Sequence, residues 1–220
     1  MILEEGGVDG LIVENYHDTP YFKDSVGYEV VAYMTTIVKE LTLSTSLPIG
    51  VNILRNAVKA AIATAHAGGG KFVRANVWMG VYVTGEGLIE GVAAEALRYR
   101  RAIGADSIKI FADFRVKHAA PLVSRELEVE VREYIERGGA DALIVTGAAT
   151  GQPPSLRYVE RVKKAAGEAP VIVGSGVTAG NVGEFLKVAD GVIVASYFKA
   201  DGRIDLESVK RLTAAARKHR

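Results

Sequence analysis

Cysteine is absent from the sequence, which rules out disulfides and thiolate metal sites and fits a reducing compartment. An excess of either charge is absent as well. With 27 basic and 26 acidic residues interspersed along the chain, there is no basic stripe, and nucleic acid is not expected as a partner. Long apolar runs are missing: none approaches the roughly 20 residues that cross a bilayer. The opening MILEEGGVDG carries acids where a secretion signal carries bases. These absences predict a cytoplasmic protein without membrane insertion. Side-chain amides are scarce, with one glutamine, Gln152, and five asparagines, Asn15, Asn52, Asn56, Asn76 and Asn181. Few amides and no cysteine are a compositional trait of heat-adapted proteins.

What the chain does contain is a repeated unit. EEGGVDGLIVEN (4–15), AGGGKFVRANV (67–77), AIGADSIKIFAD (102–113), RGGADALIVTG (137–147) and KVADGVIVAS (187–196) share one grammar. A helical stretch ends in Gly or Ala with Asp, and a short β-branched apolar run follows. Glycine after a helix serves as a left-handed cap, and an apolar run of five or six reads as a strand covered on both faces. PIGVNIL (48–54) and PVIVGSG (170–176) bring the total to seven strands. Apolar residues recur at helical spacing over 24–43, 55–67, 88–102, 124–137, 155–166, 179–187 and 205–217. Such alternation implies parallel strands joined by right-handed crossovers. No GxGxxG follows the first strand, which disfavours a nucleotide-binding open sheet. The expected fold is α/β, a TIM-type (β/α) barrel forming one domain over residues 1–220, with seven recognisable strands and the usual first strand missing. An unpaired parallel edge invites another chain, so a homo-oligomer is expected.

The motifs GGVDGLIVEN, GVNILRN, LIEGVAAEALRYRRAIGAD, IFADFRVKHAAPL, ADALIVTGAATGQPP and VGSGVT..NV together resemble the BtpA family, over essentially the whole chain. The resemblance implies a barrel of the ribulose-phosphate-binding type. Family members usually begin with one more strand and a Pro-rich loop bearing a histidine, which this sequence does not show. The family takes its name from a protein needed to accumulate photosystem I, so the resemblance also implies an alternative role as a non-catalytic assembly or stabilising factor for a membrane complex.

Barrels of this class work at the C-terminal ends of their strands. All six amides fall on that exit side, which favours a polar ligand site there over a scatter of turn formers. Glu14 and Asn15 end the first strand, and Asn52, Arg55 and Asn56 surround the end of the second. Arg74 and Asn76 share one face of FVRANV, as Lys109, Phe111 and Asp113 do in KIFADF, because alternate strand residues point the same way. Two readings fit this set: an internal ion pair of Arg74 with Asp113 or Glu14, or a reactive centre. In the second, Asp113 or Glu14 is the general acid/base, His118 shuttles protons, and Arg74 or Lys117 meets an anionic group. Glu14, Asp113 and His118 carry donor atoms for a divalent metal, but no spacing such as HxxxH supports one, and no cofactor is assigned.

The second expected feature is a phosphate clamp. In GSGVTAGN, Gly174 and Gly176 permit close backbone approach, Ser175 offers a hydroxyl, and Thr178 is placed as the N-cap of a helix beginning near Ala179, with Asn181 in its first turn. Ser196 at the end of the last strand and Lys199 after it face them across the gap. Thr146 and Gly147 open a second Gly/Thr loop, TGAATGQPP, expected to reach over the ligand as a lid or to hold as a rigid turn. The expected ligand is a small phosphorylated molecule of sugar phosphate or nucleotide type.

Overall fold

The structure is a computed structural model that describes residues 1–147 and 151–219. Seven strands lie side by side in chain order: β1 (Leu11–Glu14), β2 (Ile49–Asn52), β3 (Phe72–Ala75), β4 (Lys109–Phe114), β5 (Ala142–Thr146), β6 (Val171–Gly174) and β7 (Gly191–Ile193). Every neighbouring pair is parallel. Helices 28–44, 58–68, 93–102, 127–136, 156–166, 182–186 and 206–217 connect or follow them. Among the described residues nothing pairs with the outer edges of β1 and β7, so the sheet is a curled half-barrel with an open seam.

Alternation along the strands sorts the side chains into two faces. Val51, Val73, Ala75, Ile110, Ala112, Leu143, Val145, Val171 and Val173 point towards the helices and are fully buried. Burying a Val or Leu side chain contributes about 1.5–3 kcal/mol, and this face supplies most of the core. The inner face is different. Phe72 stacks on Phe111 with ring centroids 4.5 Å apart. Gly50, paired beside Phe72, makes room for that ring, because a Cβ at position 50 would collide with it. Ile12, Phe72, Phe111, Ile172 and Ile193 on this face stay half-buried.

The helices begin and end where local chemistry dictates. Ser155 caps helix Leu156–Ala166 by accepting the Tyr158 N–H. Val159, Val162 and Ala166 then line the buried face of that helix, the spacing of an amphipathic helix. Asp205 caps the last helix by accepting the Ser208 N–H at 2.9 Å. Gly69, at φ +86°, supplies the left-handed residue that ends helix Val58–Gly68.

Three sequence expectations are corrected. The segment from 88 does not open a helix. Val81–Thr84 and Gly87–Glu90 form an antiparallel hairpin, joined by Ala119–Pro121 into a three-stranded sheet, and the helix starts only at Ala93. The reason is local alternation: Tyr82 and Ile89 are buried while Val83 and Leu88 are exposed, a period of two. The last strand stops at Ile193, and Ser196 belongs to a 3-10 turn, Ser196–Phe198, rather than to a strand end. Thr178 is not a helix cap. The helix begins at Val182, and Asn181 instead ties the preceding turn, accepting the Thr178 N–H at 2.8 Å and donating to the Gly176 carbonyl at 3.0 Å.

Candidate functional site

At the C-terminal ends of β1 to β4 a charged network fills the inner face. Arg74 donates to the Asp113 carboxylate from Nε at 3.1 and 3.2 Å and from Nη2 at 3.1 Å. Asn76 Nδ2 adds a fourth bond at 2.7 Å. Asp113 is 1% exposed and Arg74 8%, so each depends on the other: a buried charge without a partner is strongly destabilising. Burial alone would lower the Arg74 pKa, but Asp113 more than offsets this and raises it, with a smaller push from Glu14. Glu14 lies 3.9 Å from Arg74 Nη1 and accepts a hydrogen bond from Asn52 Nδ2. It keeps 28% of its side chain exposed, which leaves it the accessible carboxylate of the network.

Lys117 joins this group from the loop after β4. Burial pushes its ammonium below the ordinary lysine range, the Arg74 charge adds to that effect, and Glu14 and Asp113 oppose it. His118 beside it is exposed. Burial and then the Lys117 charge hold its imidazole below its usual pKa. Arg55 braces the loops. Its Nη2 donates to the Lys117 carbonyl at 2.7 Å, and its Nε lies 3.8 Å from Glu86 at the hairpin tip.

Two expected ligand residues are engaged with the backbone instead. Asn15 accepts the Leu54 N–H at 2.7 Å and donates to Asp18. Asn56 accepts the Val77 N–H and donates to its carbonyl. Both staple exit loops, as turn-forming amides do. Lys199 is exposed and pairs with Ile204 in a two-residue ribbon. Among the described residues no three His, Asp or Glu side chains are gathered to hold a metal, so Glu14, Asp113 and His118 do not make the donor set weighed above. Sequence reasoning missed Glu86 and Tyr21. Glu86 sits in the TGEG turn, a hairpin signal legible in principle. The Tyr21 phenol is pushed up in pKa by burial and then by Glu14, with nothing in the sequence to mark it.

On β5 to β7 the mouth is built from backbone and small side chains. Thr146 pairs with Gly174, which pairs with Ile193. A Cβ on Gly174 would sit 3.1 Å from the Thr146 methyl. Ser175 at φ +75° and Gly176 at φ +66° turn the chain outward. A Cβ on Gly176 would lie 2.5 Å from Pro153 Cδ, and one on Gly147 would strike the Gln152 carbonyl oxygen. Among the described residues, the backbone N–H groups of Ser175, Gly176, Ser196 and Tyr197 find no backbone acceptor. The expected lid TGAATGQPP includes residues 148–150, which lie outside the described residues.

A parallel curled sheet ringed by helices, with its polar residues gathered at the strand exits, defines a TIM-type barrel protein. Solved structures share this fold. N-(5'-phosphoribosyl)anthranilate isomerase from Pyrococcus furiosus superimposes with a TM-score of 0.64 at 17% identity, covering 99% of this chain and 93% of that one. For 3-hexulose-6-phosphate synthase from Salmonella typhimurium the TM-score is 0.63 at 17% identity, with 100% and 92% covered. The sequence model of the BtpA family matches residues 1–218, and the chain belongs to that family. It is 48% identical to the photosystem I biogenesis protein BtpA of Synechocystis sp. over 92% of this chain and 70% of the relative. It is 44% identical to a protein of Archaeoglobus fulgidus over 98% and 85% of the two chains.

Proposed function

We propose that the protein binds and chemically transforms a small phosphorylated ligand at the strand-exit mouth. The observation that carries this reading is the pair of turns leaving β6 and β7, whose N–H groups at Ser175, Gly176, Ser196 and Tyr197 lack backbone acceptors among the described residues. Successive free N–H groups at a glycine turn attract an anion, and this is where barrels of the class hold phosphate. The remainder of the ligand then meets the charged half. Asp113 is engaged by four hydrogen bonds, so proton transfer falls to Glu14, with Lys117 and Arg74 stabilising developing negative charge and His118 at the rim as shuttle. Isomerisation, aldol-type cleavage and glycosidic-bond cleavage can each use an acid/base group of this kind. The test is a thermal-shift screen against phosphorylated metabolites with Ser196→Asp alongside. A specific hit abolished by the added charge supports the reading, and no hit across sugar phosphates and nucleotides overturns it. In a screen-positive assay, Glu14→Gln should remove turnover and spare binding.

A second reading rests on the 48% identity to the photosystem I biogenesis protein: an assembly or stabilising factor for a membrane complex. Under it, Glu14→Gln and Ser196→Asp leave complementation of a strain lacking the relative intact, whereas the first reading expects both to fail. We take the protein to be cytoplasmic and to self-associate along the open seam, where unpaired strand edges attract a second copy. Light scattering of the purified chain tests this, and a monomer across micromolar concentrations rejects it.

A further inference from the structure

Two polar atoms inside the mouth have no hydrogen-bond partner among the described residues although they are sealed from solvent: Asn76 Oδ1 and Thr146 Oγ1. Asn76 is 3% exposed and Thr146 6%. Buried polar atoms are nearly always paired, because an unmade bond costs the full desolvation of the group. Their chemistry is unambiguous. The Asn76 amide nitrogen donates to Asp113, and a carboxylate only accepts, so the orphan atom is the acceptor oxygen. It requires a donor. The Thr146 hydroxyl gives or takes a bond.

Register places the two atoms on either side of Asp113, Asn76 in the charged half and Thr146 at the near edge of the other. Asp113 pairs with Ile144, Thr146 lies two residues further along the same face, and Thr146 pairs with Gly174. Asn76, Asp113, Thr146 and Gly174 therefore run as a diagonal from β3 to β6. Two strand spacings of about 4.8 Å separate β3 from β5, on the order of 10 Å in all, with the glycine turn one strand beyond.

We propose that Asn76 and Thr146 form a hydroxyl-recognising subsite reaching from the Arg74–Asp113 pair towards the glycine turn, so that the ligand is a phosphorylated polyol or sugar. This deepens the preceding reading and rests on it. A phosphate ester offers mainly acceptors, which suits the turn but cannot satisfy Asn76 Oδ1; a hydroxyl next to the ester can. An aromatic or apolar phosphate would leave both atoms unpaired, and sites built around hydroxyls reject analogues lacking them for that reason. Because neither atom touches solvent, the ligand reaches them as neighbouring side chains give way, and binding gains two bonds that the closed mouth leaves unmade.

Calorimetric titration of the full chain with inorganic phosphate, phenyl phosphate, glycerol 3-phosphate, ribose 5-phosphate and fructose 6-phosphate tests this, using Thr146→Val and Thr146→Ser. We expect at least one hydroxylated ester to bind more tightly than phenyl phosphate. Thr146→Val should weaken that ligand by about tenfold, the worth of roughly one hydrogen bond. It should leave inorganic phosphate unchanged, and Thr146→Ser should restore affinity. The melting temperature of Thr146→Val without ligand should hold or rise, since an unpaired hydroxyl is being removed. A lowered melting temperature would mean that the hydroxyl serves the fold, and overturns the proposal. Equal binding of phenyl phosphate and every hydroxylated ester overturns it too, while leaving the phosphate reading standing. Absence of binding by all five compounds removes both.

Discussion

The two halves of the mouth are made of different materials. From β1 to β4 the exits carry long charged side chains, Glu14, Arg74, Asp113 and Lys117, with Asn52 and Asn76 between them. From β5 to β7 they carry Thr146, Gly174, Ser175, Gly176 and Ser196, and the groups on offer are backbone N–H. The first half holds its charges by mutual pairing, so its geometry depends on side chains that are costly to separate. The second depends on main-chain shape: Gly147 and Gly176 pack directly on the 152–153 backbone. On the proposed reading the barrel divides its labour, with reactive groups on one arc and anchoring on the other.

The largest effect should come from breaking the charged half. Asp113→Ala strips the buried Arg74 of its main partner, leaving Glu14 at 3.9 Å, and should cost about 3–5 kcal/mol, read by chemical denaturation; a loss below about 1 kcal/mol, typical of an exposed pair, would mean that the network is solvated and the contrast false. Next is the anchoring half. Gly176→Ala forces a side chain into a left-handed turn against Pro153 and should cost roughly 1–3 kcal/mol, together with anion affinity in the same titration. An unchanged affinity would separate the turn from the anion site. Ser155→Ala removes the cap of the helix behind β5 and should cost about 1 kcal/mol without altering ligand binding, a control lying outside both halves.

The smallest effect is the most diagnostic of Lys117. Its folded pKa lies below the ordinary 10.5 because of burial and then Arg74. Below the folded pKa the residue is charged in both states, so its penalty is constant. Between the folded pKa and 10.5 the unfolded chain binds more protons than the folded one, and stability rises with pH. Any advantage of Lys117→Met at neutral pH should therefore shrink as pH climbs through that window. Parallel denaturation curves of the two proteins check it, and a gap that widens would place Lys117 outside the buried group.

The barrel was legible because its outward face is written in Val, Ile, Leu and Ala at every strand, bracketed by capping glycines. Alternation also placed Arg74 and Asp113 on inward faces, and the structure joins them. What alternation could not show is which polar residues serve the chain itself. Asn15 and Asn56 sit on the exit side as expected, yet their amides are consumed by Leu54 and Val77; only the hydrogen-bond partner separates a loop staple from a ligand contact. The hairpin 81–90 was hidden because Leu88 and Ile89 extend the apolar spacing of the helix that follows. The turn at Ser196 was read as strand because VIVAS is β-branched, whereas β7 ends after three residues.

Gly176 against Pro153 and Gly147 against Gln152 are contacts of main chain on main chain or proline ring, and they fix how the protein can diversify. A Cβ at either glycine would wedge the two loops apart. Change at these two contacts must therefore move whole loops, whereas the charged arc offers side chains that can be exchanged one at a time.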